Sequence, residues 1–301
     1  MIIFGSFLGQ WWGGCGGVGL WDFRKSCWGW DPNNFLENPV NPPQPPFEKL
    51  LLYTARSGIN LFCLFAISSV QAQTVMVAVA ANFTEPMQEI AAAFDKETGN
   101  NTVLSFASSG KFFAQIKNGA PFDVFLSADT AKPLALEQAG LSVKGSRFTY
   151  AQGGLILWSP KADFVDSQSP DVLRTGQFKH LSLANPKLAP YGLAAVETLN
   201  NLGIYEDVAK KIVMGENIAQ AYQFVATHNA QLGFVALSQV MKQGKLSSGW
   251  GWIVTKDLYS PILQDAVLLK KAEDNDAAKA LLDYLKSDKA LAIIESYGYS
   301  H

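Results

Sequence analysis

The sequence predicts an α/β protein of two Rossmann-like lobes with mixed, mostly parallel sheets, joined by a hinge of two chain crossings. Three observations point there. From residue 74 onward, short apolar runs alternate with segments of helical period, the pattern of strands covered by helices. A long strand-like run, 145–158, is interrupted by Gly153-Gly154, as a chain leaving one lobe for another would be, and the apolar run Ile262 to Leu269 offers the way back. The chain has 301 residues, 48% of them apolar and 17% charged, enough for two domains with cores of their own.

Thr74 to Ala81 (TVMVAVAA) is continuously apolar and rich in β-branched residues, as expected of a strand buried on both faces. Asn82-Phe83-Thr84 breaks it. Pro86, Met87, Ile90, Ala91 and Phe94 then recur at helical spacing, with Glu85 in the first turn where the dipole favours it, and Gly99-Asn100 ends the helix. Thr102 to Phe106 reads as a second strand, Ala107 to Gly110 as a loop, and Phe112 to Asn118 as a helix stopped by Gly119. Phe122 to Ser127 is a third strand, and Leu134 to Ala139 a short helix ended by Gly140. Beyond the first crossing, the strand Leu181 to Ala184 leads through a Pro190-Tyr191-Gly192 turn into a helix from Leu193 to Leu202. Ile212 to Met214 is a short strand, Asn217-Ile218 opens a helix from Ala219 to Thr227, and Leu232 to Leu237 is again a buried strand. After the return crossing, helices from Ala277 to Leu285 and from Lys289 to Ser296 pack on the first lobe. One lobe is thus 73–150 plus 260–301 and the other 151–259.

Residues 1–72 are different material. Residues 1–30 mix tryptophans and glycines without a period, and 39–46 (PVNPPQPP) are proline-rich. Lys49 and Arg56 then flank the apolar run Ile59 to Val70, which ends in Val70-Gln71-Ala72. A basic flank, a short apolar core and a small-x-small site describe a secretory signal peptide over 49–72, cleaved near Ala72. Residues 1–48 are then a spurious or disordered N-terminal extension, and the mature chain is periplasmic and starts at Gln73.

The formal net charge of −2 gives no field to draw the molecule to nucleic acid. Cys15, Cys27 and Cys63 all precede residue 64, so the segment from Gln73 has neither a disulfide nor a thiolate metal site, and His180, His228 and His301 show no metal-ligand spacing. No cofactor is implied.

The stretch Ser105 to Ile116 (SFASSGKFFAQI) carries the chemistry. Small hydroxyl residues and a glycine lead from a strand into a helix, where first-turn N–H groups are free to bind an anion. Asn82 and Ser109 both fall at carboxyl ends of strands, where ligands of such sheets sit. Ser108-Ser109-Gly110-Lys111 also fits the S-x-x-K of acyl-serine enzymes, but the companion S-D-N and K-T-G triplets are missing. Gly110-Lys111-Phe112 is no nucleotide loop, since no Ser or Thr follows the lysine. Lys111 reads as a solvated helix residue, and Asp123 and Asp129 as strand-end caps rather than a catalytic carboxylate pair. Tyr191 is either a surface turn residue or a donor into the cleft, and the Ile218 amide opens a helix as any first-turn amide does.

Taken together, AANFTEPMQEIAAAF, FASSGKFFAQIKNGAPFDVFLSAD, SRFTYAQGGLILWSP, NPKLAPYGLAA, GENIAQAY and LGFVALSQV resemble the molybdate-binding proteins of ABC importers, in the right order and over nearly all of 73–301. The resemblance implies the type II periplasmic-binding fold, no catalysis, a molybdate or tungstate ligand without cofactor or direct metal-ion ligands, a monomer, and permease subunits in the inner membrane as partners. Position by position, it implies an oxyanion held by Ala81 (through its backbone), Asn82 and Ser109 from one lobe, and by Tyr191 and the Ile218 amide from the other. Many members have Ser where Asn82 stands, and carry their tyrosine after the strand matching Gly233 to Val235, where this chain has Ala236. Tyr191 would replace it from a different loop. Molybdate is a dianion without a proton at neutral pH, so its site needs donors and no acceptor. None of these positions is charged, so amide dipoles and hydroxyls must meet the ion, and fixed donors would select by size against sulfate. Sulfate or another tetrahedral oxyanion is the alternative ligand, and a serine hydrolase using Ser109 the alternative class.

Overall fold

The computed structural model describes residues 72–301. The expectations for 1–48 and for the signal peptide lie outside the described residues but for Ala72. In chain order the first sheet and its helices comprise β1 (Thr74–Ala80), α1 (Thr84–Thr98), β2 (Asn101–Ala107), α2 (Ser109–Lys117), β3 (Val124–Leu126), α3 (Ala131–Gln138) and β4 (Phe148–Gly153). The second comprises β5 (Leu155–Ser159), α4 (Asp171–Thr175), β6 (Leu181–Ala184), α5 (Pro190–Asn201), α6 (Tyr205–Val208), β7 (Ile212–Gly215), α7 (Ile218–Ala226), β8 (Leu232–Ala236), a small hairpin β9 (Met241–Lys242) and β10 (Lys245–Leu246), and β11 (Trp250–Ile253). The chain then returns with β12 (Ile262–Leu268), α8 (Asp276–Tyr284) and α9 (Asp288–Ser296).

The two sheets repeat one plan. The first has the order β2-β1-β3-β12-β4, the second β7-β6-β8-β5-β11. In each, three strands pair in parallel around the first of them, and the fourth, β12 or β5, runs against the rest. Each reversed strand directly follows a crossing. Gly154 alone separates β4 from β5, and residues 254–261 connect β11 to β12. The fold is therefore α/β with two mixed, mostly parallel sheets and a two-crossing hinge.

Side-chain alternation fixes the layers. Val75, Val77 and Val79 of β1 face Met87, Ile90 and Phe94 of α1, together with Leu281 and Ile294 from α8 and α9. Ala78 faces the other way, toward Phe112 and Ile116 of α2 and Leu136 of α3. The second sheet is likewise covered on both sides, by α5 with Val165, Leu173 and Phe178, and by Val225 of α7 with Trp158 and Val240. A strand packed on both faces is largely apolar, which is why β1, β5, β6 and β8 read as hydrophobic runs, with Ser159 and Ser182 the buried exceptions in β5 and β6.

Three helices start a full turn or nearly so earlier than the sequence suggests. α2 begins at Ser109, not Phe112; α5 begins at Pro190, not Leu193; and α3 begins at Ala131. The Pro190-Tyr191-Gly192 turn is in fact the first turn of α5, with the proline at its start where no partner is lost. Gly110 and Gly192 look like helix breakers, but both sit inside first turns, where their lack of a Cβ permits close approach. A Cβ on Gly192 would lie 2.2 Å from the Ala184 carbonyl oxygen at the end of β6, and one on Gly110 would lie 3.0 Å from the Leu188 backbone. The C-terminal tail is pinned to β4 by Gln152 N to Ser300 O (2.6 Å) and Ser300 N to Gln152 O (3.1 Å), which carries Tyr299 to the hinge.

Gly192→Ala forces backbone to move off backbone. It should cost about 1–3 kcal/mol of stability in urea unfolding; an unchanged midpoint would show that the α5–β6 contact has slack.

Candidate functional site

Four chain segments that leave parallel strands end at one place. β1 passes into a short 3₁₀ turn, Ala81–Phe83; β2 passes into α2; β6 leads to α5; and β7 leads to α7. Their starts line a small cavity of about 10 Å³, close to the least that holds one water molecule. It is bounded by Ala80, Ala81, Asn82, Ser108, Ser109 and Ala128 from the first half, and by Ala189, Pro190, Tyr191, Asn217 and Ile218 from the second. All five residues singled out from the sequence (Ala81, Asn82, Ser109, Tyr191 and Ile218) meet there, each at most 5% exposed. The first amides of each helical turn have no acceptor within their own helix, so the cavity wall is rich in unspent N–H groups. Asn217 caps α7 by accepting from Gln220 N at 3.0 Å, which orients that helix start. No acid, lysine, arginine or histidine is among the described residues lining the cavity.

Two hydroxyls are set up as donors. Ser109 Oγ accepts from Ala128 N at 2.9 Å, which leaves its own proton to give. Tyr191 Oη accepts from Gln264 Nε2 at 3.1 Å, which leaves the phenol proton to give. Burial, reinforced by the neighbouring phenols Tyr299 and Tyr150, pushes the Tyr191 hydroxyl well above the usual tyrosine range, so it stays protonated.

Asn82 works differently from the other residues. Its side-chain amide is spent inside the protein, donating to Gln264 Oε1 at 2.8 Å and to Tyr299 Oη at 2.9 Å. What it presents to the cavity is therefore its backbone. Its carbonyl accepts from Ser238 Oγ (2.8 Å) and Tyr299 Oη (2.9 Å), and Tyr150 Oη reaches Gln264 Oε1 at 3.0 Å. Phe83 packs edge-on against Tyr150 and Tyr299, with ring centroids 4.8 and 5.3 Å apart, closing this network from water. Burial raises Tyr299 to about 12 and raises Tyr150 well above its ordinary value.

At the rim the two halves touch directly. Gly110 N donates to Leu188 O at 2.9 Å, and Lys111 Nζ pairs with Glu216 Oε1 at 2.7 Å, both side chains about half exposed. Lys111 is on the helix surface, as its pattern suggests, but it spans the cleft. Asp123 accepts from Met76 N at 2.7 Å, and Asp129 accepts from Lys132 N at 2.9 Å at the start of α3, so both are structural ties.

Sequence reasoning missed Ser108, Ser238, Gln264 and Tyr299. Gln264 had a visible signal: Gln264-Asp265 is a polar pair inside an otherwise apolar strand. Ser238 and Tyr299 had none, because their partner Asn82 lies 156 and 217 residues away. Ser108 stands at the start of α2 with its buried hydroxyl unpaired.

The family model for bacterial extracellular solute-binding proteins matches residues 75–300. The molybdate-binding protein ModA of Azotobacter vinelandii is 59% identical over 229 residues, covering 76% of this chain and 90% of that protein. ModA of Rhodobacter capsulatus is 52% identical over 226 residues, 75% of this chain and 87% of that one. The solved structure of an Azotobacter vinelandii periplasmic molybdate-binding protein aligns with a TM-score of 0.73 at 39% identity, over 75% of this chain and 99% of that chain.

The buried phenols make stability sensitive to alkali. Below about pH 10 they are protonated whether the chain is folded or not. As pH rises from about 10 toward 12, the unfolded chain releases these protons while the fold retains them, so stability falls, by at most about 1.4 kcal/mol per pH unit for each phenol. Urea unfolding at about pH 9 and about pH 11 should show this loss, and a smaller one in Tyr299→Phe; equal losses in the two proteins would exclude Tyr299 as a source.

Proposed function

The chain belongs to the molybdate-binding branch of the bacterial extracellular solute-binding proteins, and from that premise we propose that it captures molybdate, and tungstate with it, between its two halves and delivers the ion to the permease of an ABC importer. One observation carries this reading. Four helix starts and two oriented hydroxyls converge on a buried cavity whose lining has donors to spare and no acid or base. A group of this kind suits an anion that brings no proton of its own. It suits hydrogen phosphate poorly, because the described residues of the lining include no carboxylate or imidazole to accept its proton. The ligand set we propose is the Ala81 and Asn82 amides with Ser109 on one side, and Tyr191 with the Ile218 amide on the other.

Delivery requires opening. We take 73–150 with 260–301 as one lobe and 151–259 as the other, turning about Gly153-Gly154 and residues 254–261. Closure brings the Tyr191 and Ile218 side onto the Ser109 side, and the Gly110–Leu188 and Lys111–Glu216 contacts form only then. The exposed pair adds little, up to about 1 kcal/mol. The buried donors hold the ion. The protein works as a monomer outside the cytoplasmic membrane, exported by the segment 49–72, and both lobes dock the permease together. No helix among the described residues is long and apolar enough to cross a membrane. Ser109 does not act as a nucleophile in this reading. Its hydroxyl faces the Ala128 amide, and the lining offers no base to take its proton.

Calorimetric titration of the protein from Gln73 onward with molybdate, tungstate, sulfate and phosphate tests the proposal. Molybdate and tungstate should bind tightly, sulfate far more weakly and phosphate weakest. Ser109→Ala should lose about tenfold to a hundredfold in molybdate affinity, the worth of one hydrogen bond to a charged partner. Sulfate binding as tight as molybdate would remove the size argument, and an esterase activity lost in Ser109→Ala with unchanged oxyanion affinity would replace the whole reading.

A further inference from the structure

Gln264 lies on β12, the strand that returns from the second half to the first, and is fully buried. The register between β12 and β4 slips between Gln264 and Asp265, a bulge of the kind that re-aims a side chain. Two consecutive residues thereby turn inward. Asp265 goes to Thr149 Oγ1 (2.7 Å) and Arg147 Nη1 (2.5 Å), while Gln264 goes toward the cavity. There its amide is used at both ends. Oε1 accepts from Asn82 Nδ2 at 2.8 Å and has Tyr150 Oη at 3.0 Å; Nε2 donates to Tyr191 Oη at 3.1 Å. Asn82 belongs to the first half and Tyr191 to the second, so one amide joins the two sides of the site. The backbone makes room for it: a Cβ on Gly153 would stand 2.0 Å from Tyr191 Oη and 2.7 Å from Gln264 Nε2. Gly153 has no positive φ, so what this position requires is space rather than a turn.

We propose that Gln264 is a positioning residue for oxyanion capture: by donating to Tyr191 Oη while accepting from Asn82, it fixes the phenol as a donor to the bound ion and makes that donor depend on the hinge being closed. This rests on the reading of the cavity as an oxyanion site. A phenol has one proton. With the Gln264 amide donating to Tyr191 Oη, the phenol proton is left for an acceptor on its other side, Tyr299 Oη in the ion-free protein and an oxygen of the bound ion in the complex. When the hinge opens, Tyr191 leaves Gln264 and its proton direction is no longer set. Coupling of binding to closure then comes from this one hydrogen bond.

The test is a double-mutant cycle read by titration with sodium molybdate: the unaltered protein, Gln264→Met, Tyr191→Phe and the double variant, with urea unfolding of each ion-free protein as a control for folding. Gln264→Met should lower affinity about tenfold. In the Tyr191→Phe background the same change should have no further effect, because Gln264 acts through that hydroxyl. Gln264→Glu, whose carboxylate would draw the phenol proton to itself, should bind molybdate more weakly than Gln264→Met. Full affinity in Gln264→Met, losses that multiply in the double variant, or Gln264→Glu binding as well as the unaltered protein would overturn the proposal alone. Failure of the unaltered protein to bind molybdate would overturn the oxyanion reading and this proposal with it.

Discussion

The cavity proposed to hold an anion has no cationic side chain among the described residues of its lining, so it depends on where backbone dipoles point. Four strand-to-helix connections, two from each sheet, have to end within hydrogen-bond reach of one spot. Everything else in the fold serves that convergence. Parallel pairing of β1 with β2 and of β6 with β7 puts the carboxyl ends side by side. Apolar packing on both faces of each sheet fixes the helix axes. Glycines at first turns let the helices come close enough. Because each donor is neutral, its strength depends on being dry and immobile, and the enclosure by Phe83 and the buried tyrosines supplies that environment.

The order and kind of the main elements were legible because a strand covered on both sides has to be apolar and a helix covered on one has to repeat. The short pieces α4, α6 and β9 to β11 had no such obligation and went unread. Two of the misplaced helix starts, those of α2 and α5, fall at glycines. Gly110, Gly153 and Gly192 look like punctuation, yet in space each marks where something passes within a Cβ's reach: the Leu188 backbone, the Tyr191 hydroxyl and the Ala184 carbonyl. The candidate residues on strand-to-helix loops could be picked out one stretch at a time, since their placement follows from local position. Gln264, Ser238 and Tyr299 could not, because their role is defined by partners brought up by the two crossings and the tail. Asn82 was readable as a candidate, but only the fold shows that its side chain is occupied elsewhere.

The hinge of this protein is polar at its centre. Asn82, Gln264, Tyr150, Tyr191, Tyr299 and Ser238 lie buried where the two crossings meet, and nearly every polar atom has a partner. Such a network is stiff when complete and costly when half-made. It therefore favours two arrangements, closed and fully bonded or open and rehydrated, over the range between them. A binding protein that must either hold its ion or release it is served by that sharpness.

The reversed strands β12 and β5 carry one more consequence, for the order in which the chain assembles. β3, a buried strand of three residues, has its second edge covered only by β12, which begins at Ile262. Until those residues arrive, the first sheet ends in an open hydrophobic edge, and the hinge lacks Gln264 and Tyr299 as well. The second half, by contrast, is continuous in sequence and contains all of its own strands. The late half of the chain can thus complete itself first, and the early half last, at high contact order and with slow closure.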